Sequence, residues 1–260
     1  MWSGWSAPPS TDIARFGHYE PISAQSCAVG ADVIRYARIG IWAVPVYAAT
    51  LFAGTITHQP PPQTELADWS RYVTTNEFLF SHIVFSILGA VFGAIGAVSL
   101  GIVLIERGSV KLGLTGLVTG VAANVIGSSI FGIAAFAQPA IGRLYLAGNH
   151  DLAQSLYYDA AQGTPMVLVA IVFLVLVVTS FIVFGVGFAR LALMPRWAGI
   201  GYAASGPLFA VIGFALDNWI QSVAATLMTA SAVWMVIALR RSSGPSLRAD
   251  QSSPLPARTS

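Results

Sequence analysis

Glu77, His82 and Asp217 are the residues of this chain best placed to move a proton at the edge of an apolar environment. A carboxylic acid kept protonated in a dry pocket can protonate an alkene or epoxide, an imidazole can relay the proton, and aromatic faces can stabilise the cation that develops. Ser86, Asn124, Gln138, Trp219 and Gln221 add hydroxyl, amide and indole groups that could hold a ligand nearby. Unsolvated polar groups are costly in hydrocarbon, so each marks either function or packing. The packing alternatives are specific. Glu77 suits the first turn of a helix, Asp217 with Asn218 suits a helix cap, His82 suits a satisfied core position, and an Asn124 amide bridging to Ser86 suits interhelical glue.

The stretch from Asn76 to Gly101, NEFLFSHIVFSILGAVFGAIGAVSLG, must position the first of these groups. At ~100° per residue, His82, Ser86, Gly89, Gly93 and Gly96 fall within about 40° of one direction, while Phe78, Phe85 and Phe92 point elsewhere. The pattern predicts a membrane helix with a small, polar face for packing or binding. Asn124 sits at a depth comparable to Ser86 if the next span runs antiparallel. Trp69, Tyr72, Phe78, Phe80, Phe85, Phe136 and Trp219 could line an outer cavity, and an aromatic belt at the interface accounts for them equally well.

Composition sets the environment. With 55% hydrophobic and 9% charged residues, against about 25% charged in soluble domains, the chain is read as an integral membrane protein embedded in a lipid bilayer. A formal charge of +2 leaves no surface for nucleic acid. Cys27 is the only cysteine and Lys111 the only lysine, so an internal disulfide, a cysteine metal site and an intramembrane Schiff base are excluded. Of the 4 histidines only His82 falls within a span, too few for paired haems. Zinc and nucleotide motifs are absent, and no metal or cofactor is expected.

The predicted fold is all-α: a polytopic bundle of six transmembrane helices with both termini cytoplasmic, in the cell membrane. A polar arm covers residues 1–34, the bundle 35–241 and a disordered tail 242–260. The spans run over about 39–57, kinked at Pro45, then 78–105, 112–136, 165–188, 196–216 and 219–239. Residues 58–75 form a proline-stiffened loop, and 138–164 a long amphipathic loop too polar to cross. Of 13 Lys+Arg, all but Arg71 and Arg143 lie on the terminal side, which the positive-inside rule makes cytoplasmic. Lys111-Leu-Gly113 and Arg196-Trp-Ala-Gly199 both open a span with a base followed by glycine, an echo suggesting that the hairpins of spans 2/3 and 4/5 are related units. Bases and glycines are also common wherever membrane hairpins turn.

Met194-Pro195-Arg196-Trp197-Ala198-Gly199 and Gln138-Pro139-Ala140-Ile141-Gly142-Arg143-Leu144-Tyr145 resemble segments of uncharacterised bacterial six-span membrane proteins, a likeness that implies the architecture and no activity. Glu77 at the mouth of span 2 and Asp217 at the end of span 5 resemble the acids of the small integral-membrane terpene cyclases, which implies acid-initiated cyclisation; that family is usually drawn with seven spans.

Three functions stay open: binding of a hydrophobic small molecule in an outer-side cavity, a cyclase-like enzyme using Glu77, Asp217 and His82, or a small-molecule transporter. A transporter coupled to protons would need an acid nearer mid-membrane than Glu77 or Asp217.

Overall fold

The computed structural model describes residues 24–57, 65–161, 163–191, 195–213 and 218–242, which are helical with no strand. The helices are α1 (Ala24–Gly40), α2 (Ala43–Thr57), α3 (Leu66–Val73), α4 (Asn76–Glu106), α5 (Val110–Leu146), α6 (His150–Leu156), α7 (Thr164–Ala189), α8 (Arg196–Pro207) and α9 (Asn218–Ser242). Among the described residues, five helical segments are long and apolar enough to cross a membrane: Val29–Thr57, Asn76–Glu106, Val110–Leu146, Thr164–Ala189 and Trp219–Ser242. α8, extended by the π-helical Leu208–Gly213, packs between α7 and α9.

Neighbour relations close on themselves. α2 packs on α4, α4 on α5, α5 on α7, α7 on α8, α8 on α9 and α9 back on α2, so the helices form a ring. Such helices gain nothing hydrophobic by leaving lipid for each other, and small residues let them gain dispersion by close approach. Both hairpins use this device. A Cβ on Gly113 would stand 2.7 Å from the Gly101 carbonyl oxygen, and one on Gly199 would stand 2.5 Å from that of Gly185. The glycines behind the predicted echo are thus the points where the backbones touch. The glycine face of α4 divides between two neighbours: Gly89 and Gly96 receive Thr50 and Val44 of α2, whereas Gly93 receives Asn124 of α5.

The chain breaks at Ile41–Trp42, a turn before Pro45. Proline lacks the N–H that would bond the Ile41 carbonyl and clashes with it, so Ile41 O accepts from Val44 N at 3.1 Å instead. The distortion falls at the carbonyl partner rather than at the proline where the sequence reading put it.

Two predicted loops are corrected. Residues 138–146 prolong the third span without interruption, followed by α6 and the π-helical Tyr157–Ala161, and part of 58–75 forms α3. Trp69, Val73, Ile141, Ala153 and Tyr157, together with Phe78, build a second small core, with Ser70 also buried and Arg71, Arg143 and Asp151 exposed. At ~1.5 Å per residue the 37 residues of α5 reach about 55 Å, well past a ~30 Å hydrocarbon layer, which puts its last turns in this cap. The wheel prediction also fails at Phe78, which is 3% exposed and lies against His82 with ring centroids 4.1 Å apart. Four positions before His82, Phe78 stands only about 40° from it at ~100° per residue, so regular winding already sets the two on one face. The polar arm up to residue 23 and the tail beyond Ser242 lie outside the described residues.

Gly199→Val should cost ~1–3 kcal/mol by forcing α7 and α8 apart. Gly132, whose added Cβ would meet nothing within 4 Å, should accept alanine with a change under ~0.5 kcal/mol. Equilibrium unfolding in mixed micelles compares the two; equal effects would contradict the close contact.

Candidate functional site

At the capped end, Thr75 starts α4 by accepting the Phe78 backbone N–H at 3.1 Å, which leaves Glu77 exposed in the first turn. His82 lies one turn further in and is buried, its Nδ1 2.9 Å from the Phe78 carbonyl oxygen. A carbonyl only accepts, so Nδ1 carries the hydrogen and the tautomer is fixed. Above it, Trp69 meets Tyr157 edge to face at 4.7 Å and Tyr72 meets Phe78 at 5.5 Å. Burial, and secondarily the Glu77 carboxylate, push the Tyr72 phenol up to about 12. Arg71 pairs with Asp68 and holds that carboxyl below its ordinary value.

The middle of the ring holds a polar node. Tyr47 of α2, Asn124 of α5, Ser180 of α7 and Tyr202 of α8 line a void of about 20 Å³, large enough for one water. Tyr202 is 5% and Ser180 6% exposed. Asn124 donates from Nδ2 to Gly120 O at 2.8 Å, and Ser180 Oγ is 3.5 Å from Gly116 O. The phenols of Tyr47 and Tyr202 have no protein hydrogen-bond partner among the described residues, and Phe181 stacks on the Tyr202 ring at 4.8 Å. Closer to the cap, Ser222 of α9 donates to Thr55 of α2 at 2.9 Å.

At the opposite end lies a groove of about 490 Å³ between α1, the end of α4 and the end of α9. Ile34, Ile39, Ile41, Val103, Val236 and Leu239 give it an apolar wall, and Arg35, Arg38, Arg107, Arg240 and Glu106 a charged rim. Arg38 pairs with Glu106 at 2.5 Å, and Arg240 lies 5.0 Å over the Trp42 ring.

The predicted site residues are therefore spread out. Asn124 abuts Gly93, seven positions beyond Ser86 and eleven beyond His82, or roughly 10 and 16 Å deeper along α4. It bonds its own helix rather than bridging to Ser86. Ser86 is half-buried in the π-helical stretch, Gln138 is half-buried in α5, and Trp219 is exposed. Gln221 packs on Gly213. Asp217 lies outside the described residues. Sequence reasoning missed Tyr47, Ser180 and Tyr202. Two tyrosines well inside predicted spans, away from the interfacial belt, were the available signal.

Among the described residues, fold and site together define an all-helical protein with membrane-length helices, a small polar void at the ring centre and a basic groove at one end. Comparison with known families, with curated proteins and with solved structures finds no match.

Glu77→Gln should lower the midpoint of the Tyr72 phenol from about 12 while leaving it above the ordinary tyrosine value, because the burial contribution stays. Ultraviolet titration of this variant against Tyr72→Phe isolates the transition. The raised value also fixes the sign of the linkage: the buried neutral phenol stabilises the cap below about pH 10, and that contribution is lost as pH rises through the unfolded and then the folded value. In the node, Tyr202→Phe removes a hydroxyl with no protein partner among the described residues and should change stability by less than about 0.5 kcal/mol, whereas Tyr202→Ala should cost ~3–5 kcal/mol in the same unfolding assay.

Proposed function

We propose that this chain is a six-span protein of the cell membrane, both termini cytoplasmic, that binds an amphiphilic small molecule in the groove at its arginine-rich end. The observation that carries the reading is the groove itself. About 490 Å³ lies in the ~300–1,000 Å³ range of small-molecule sites, and its apolar wall beside a cationic rim suits a molecule with a greasy body and a negative head. The void at the ring centre, about 20 Å³, takes no such ligand.

The sixth crossing belongs to α8 and its π-helical extension, whose residues 196–213 reach about 27 Å, close to a hydrocarbon thickness. Arg35, Arg38, Arg107, Lys111, Arg190, Arg196, Arg240 and Arg241 gather at one end, with Arg71 and Arg143 at the cap, and the excess supports a cytoplasmic groove. The hydrophobic ligand read from sequence thus moves from the outer mouth to the opposite side, because the cap is packed with its own aromatic core. Acid catalysis loses support at Glu77, an exposed residue rather than a dry one.

A photoreactive fatty acid added to the purified protein should label peptides of α1 and the ends of α4 and α9. Ala31→Trp, which fills the groove, should reduce that labelling at least about fivefold. Labels confined to residues 76–87 and 138–157 would restore the outer-side reading and overturn this one.

A further inference from the structure

We infer that the arginine-end groove is a receptor for an anionic phosphate headgroup, the alkyl part of the ligand lying along Ile34, Val236 and Leu239; this rests on the reading that the groove binds an amphiphile. Arg35, Arg38, Arg107 and Arg240 approach from α1, the α4 terminus and α9, against one acid, Glu106, leaving three positive charges in excess.

Their present engagements are unequal. Arg38 is committed to Glu106, Arg240 rests on Trp42, and Arg107 reaches Ser242 Oγ at 3.4 Å, while Arg35 has no hydrogen-bond or ion-pair partner among the described residues. Arg35 and Arg107 therefore hold the capacity a new anion would use. Guanidinium groups arriving from three elements fit the divergent oxygens of a phosphate better than a planar carboxylate, which one fork saturates. Glu106 already supplies the carboxylate, so it acts as a built-in competitor for Arg38. The rim also sits where the membrane-length helices α4 and α9 end, and an anionic leaflet at that end would concentrate the ligand there.

Native mass spectrometry of the full chain, delipidated and then exposed to vesicles of equal phosphatidylglycerol and phosphatidylcholine, tests the idea. Retention of phosphatidylglycerol over phosphatidylcholine by roughly tenfold or more is expected. Arg35→Gln with Arg107→Gln should erase the preference, Glu106→Gln should raise it, and Arg71→Gln with Arg143→Gln at the cap should leave it unchanged. Equal retention of both lipids would overturn the anionic headgroup while sparing amphiphile binding. If neither lipid is held but inorganic phosphate or glycerol phosphate binds in an Arg35- and Arg107-dependent way, the anion site stands with a soluble source and the amphiphile reading falls. Retention of neither lipid nor phosphate would overturn both.

Discussion

Two glycine pairs in this bundle, Gly101 against Gly113 and Gly185 against Gly199, bring helix backbones into contact, and the two hairpins they belong to depend on those approaches. In lipid there is no hydrophobic gain from pressing one apolar helix onto another, so cohesion rests on dispersion summed over close contacts and on a few hydrogen bonds. Each glycine pair draws its hairpin tight beside the turn that closes it. Larger residues then fill the space behind: Leu104 lies against Gly187, and Phe184 against Gly116. Phe184, Phe188, Leu100, Leu104, Met228 and Met235 are almost fully buried as a result.

A ring of helices with no central strut must fill its own axis. Here the axis is filled by aromatic and small side chains, with one polar node among them. Its amide bonds its own helix, its serine reaches one carbonyl of a neighbouring helix and its two phenols have no protein partner among the described residues, so the node is a polar spot with room for one water rather than a network tying the helices together.

Much of this was legible in sequence, and the failures have physical causes. Hydropathy fixes spans because the bilayer demands internal satisfaction of every backbone group, and observed helices such as Thr164–Ala189 match the predicted 165–188 within a residue. The loops at 58–75 and 138–164 were misread because α3 and α6 are short and the stretches polar, and the buried residues of α3, Trp69, Ser70 and Val73, find their cover on residues 138–146 at the far end of α5. Neither has a reason to form without its partner. The break at Ile41–Trp42 was misplaced by one turn because proline acts on the carbonyl four residues back. Asn124 was assigned the wrong neighbour since a face shared among Gly89, Gly93 and Gly96 does not say which helix each glycine receives. The groove was invisible because it belongs to three elements distant in the chain, although its arginines were each counted for topology.

Ser81–Ile87, Ile133–Ala137, Tyr157–Ala161 and Leu208–Gly213 are all π-helical, and all lie in the cap or the half of the bundle beneath it. A π turn is an α-helix carrying one residue too many, the trace of a single-residue insertion absorbed without breaking the helix. Loss of one residue between Ser81 and Ile87 would therefore restore regular winding with the flanking turns only slightly rotated, whereas a deletion in the regular helix after Leu88 would swing everything before it by about 100° relative to everything after it. Thr75, Phe78 and His82 would then turn away from α3 and α5 together. In genetic terms, the cap and the ring are joined by a segment that carries a spare residue, so a one-codon deletion is easier to tolerate within Ser81–Ile87 than in the regular helix that follows it.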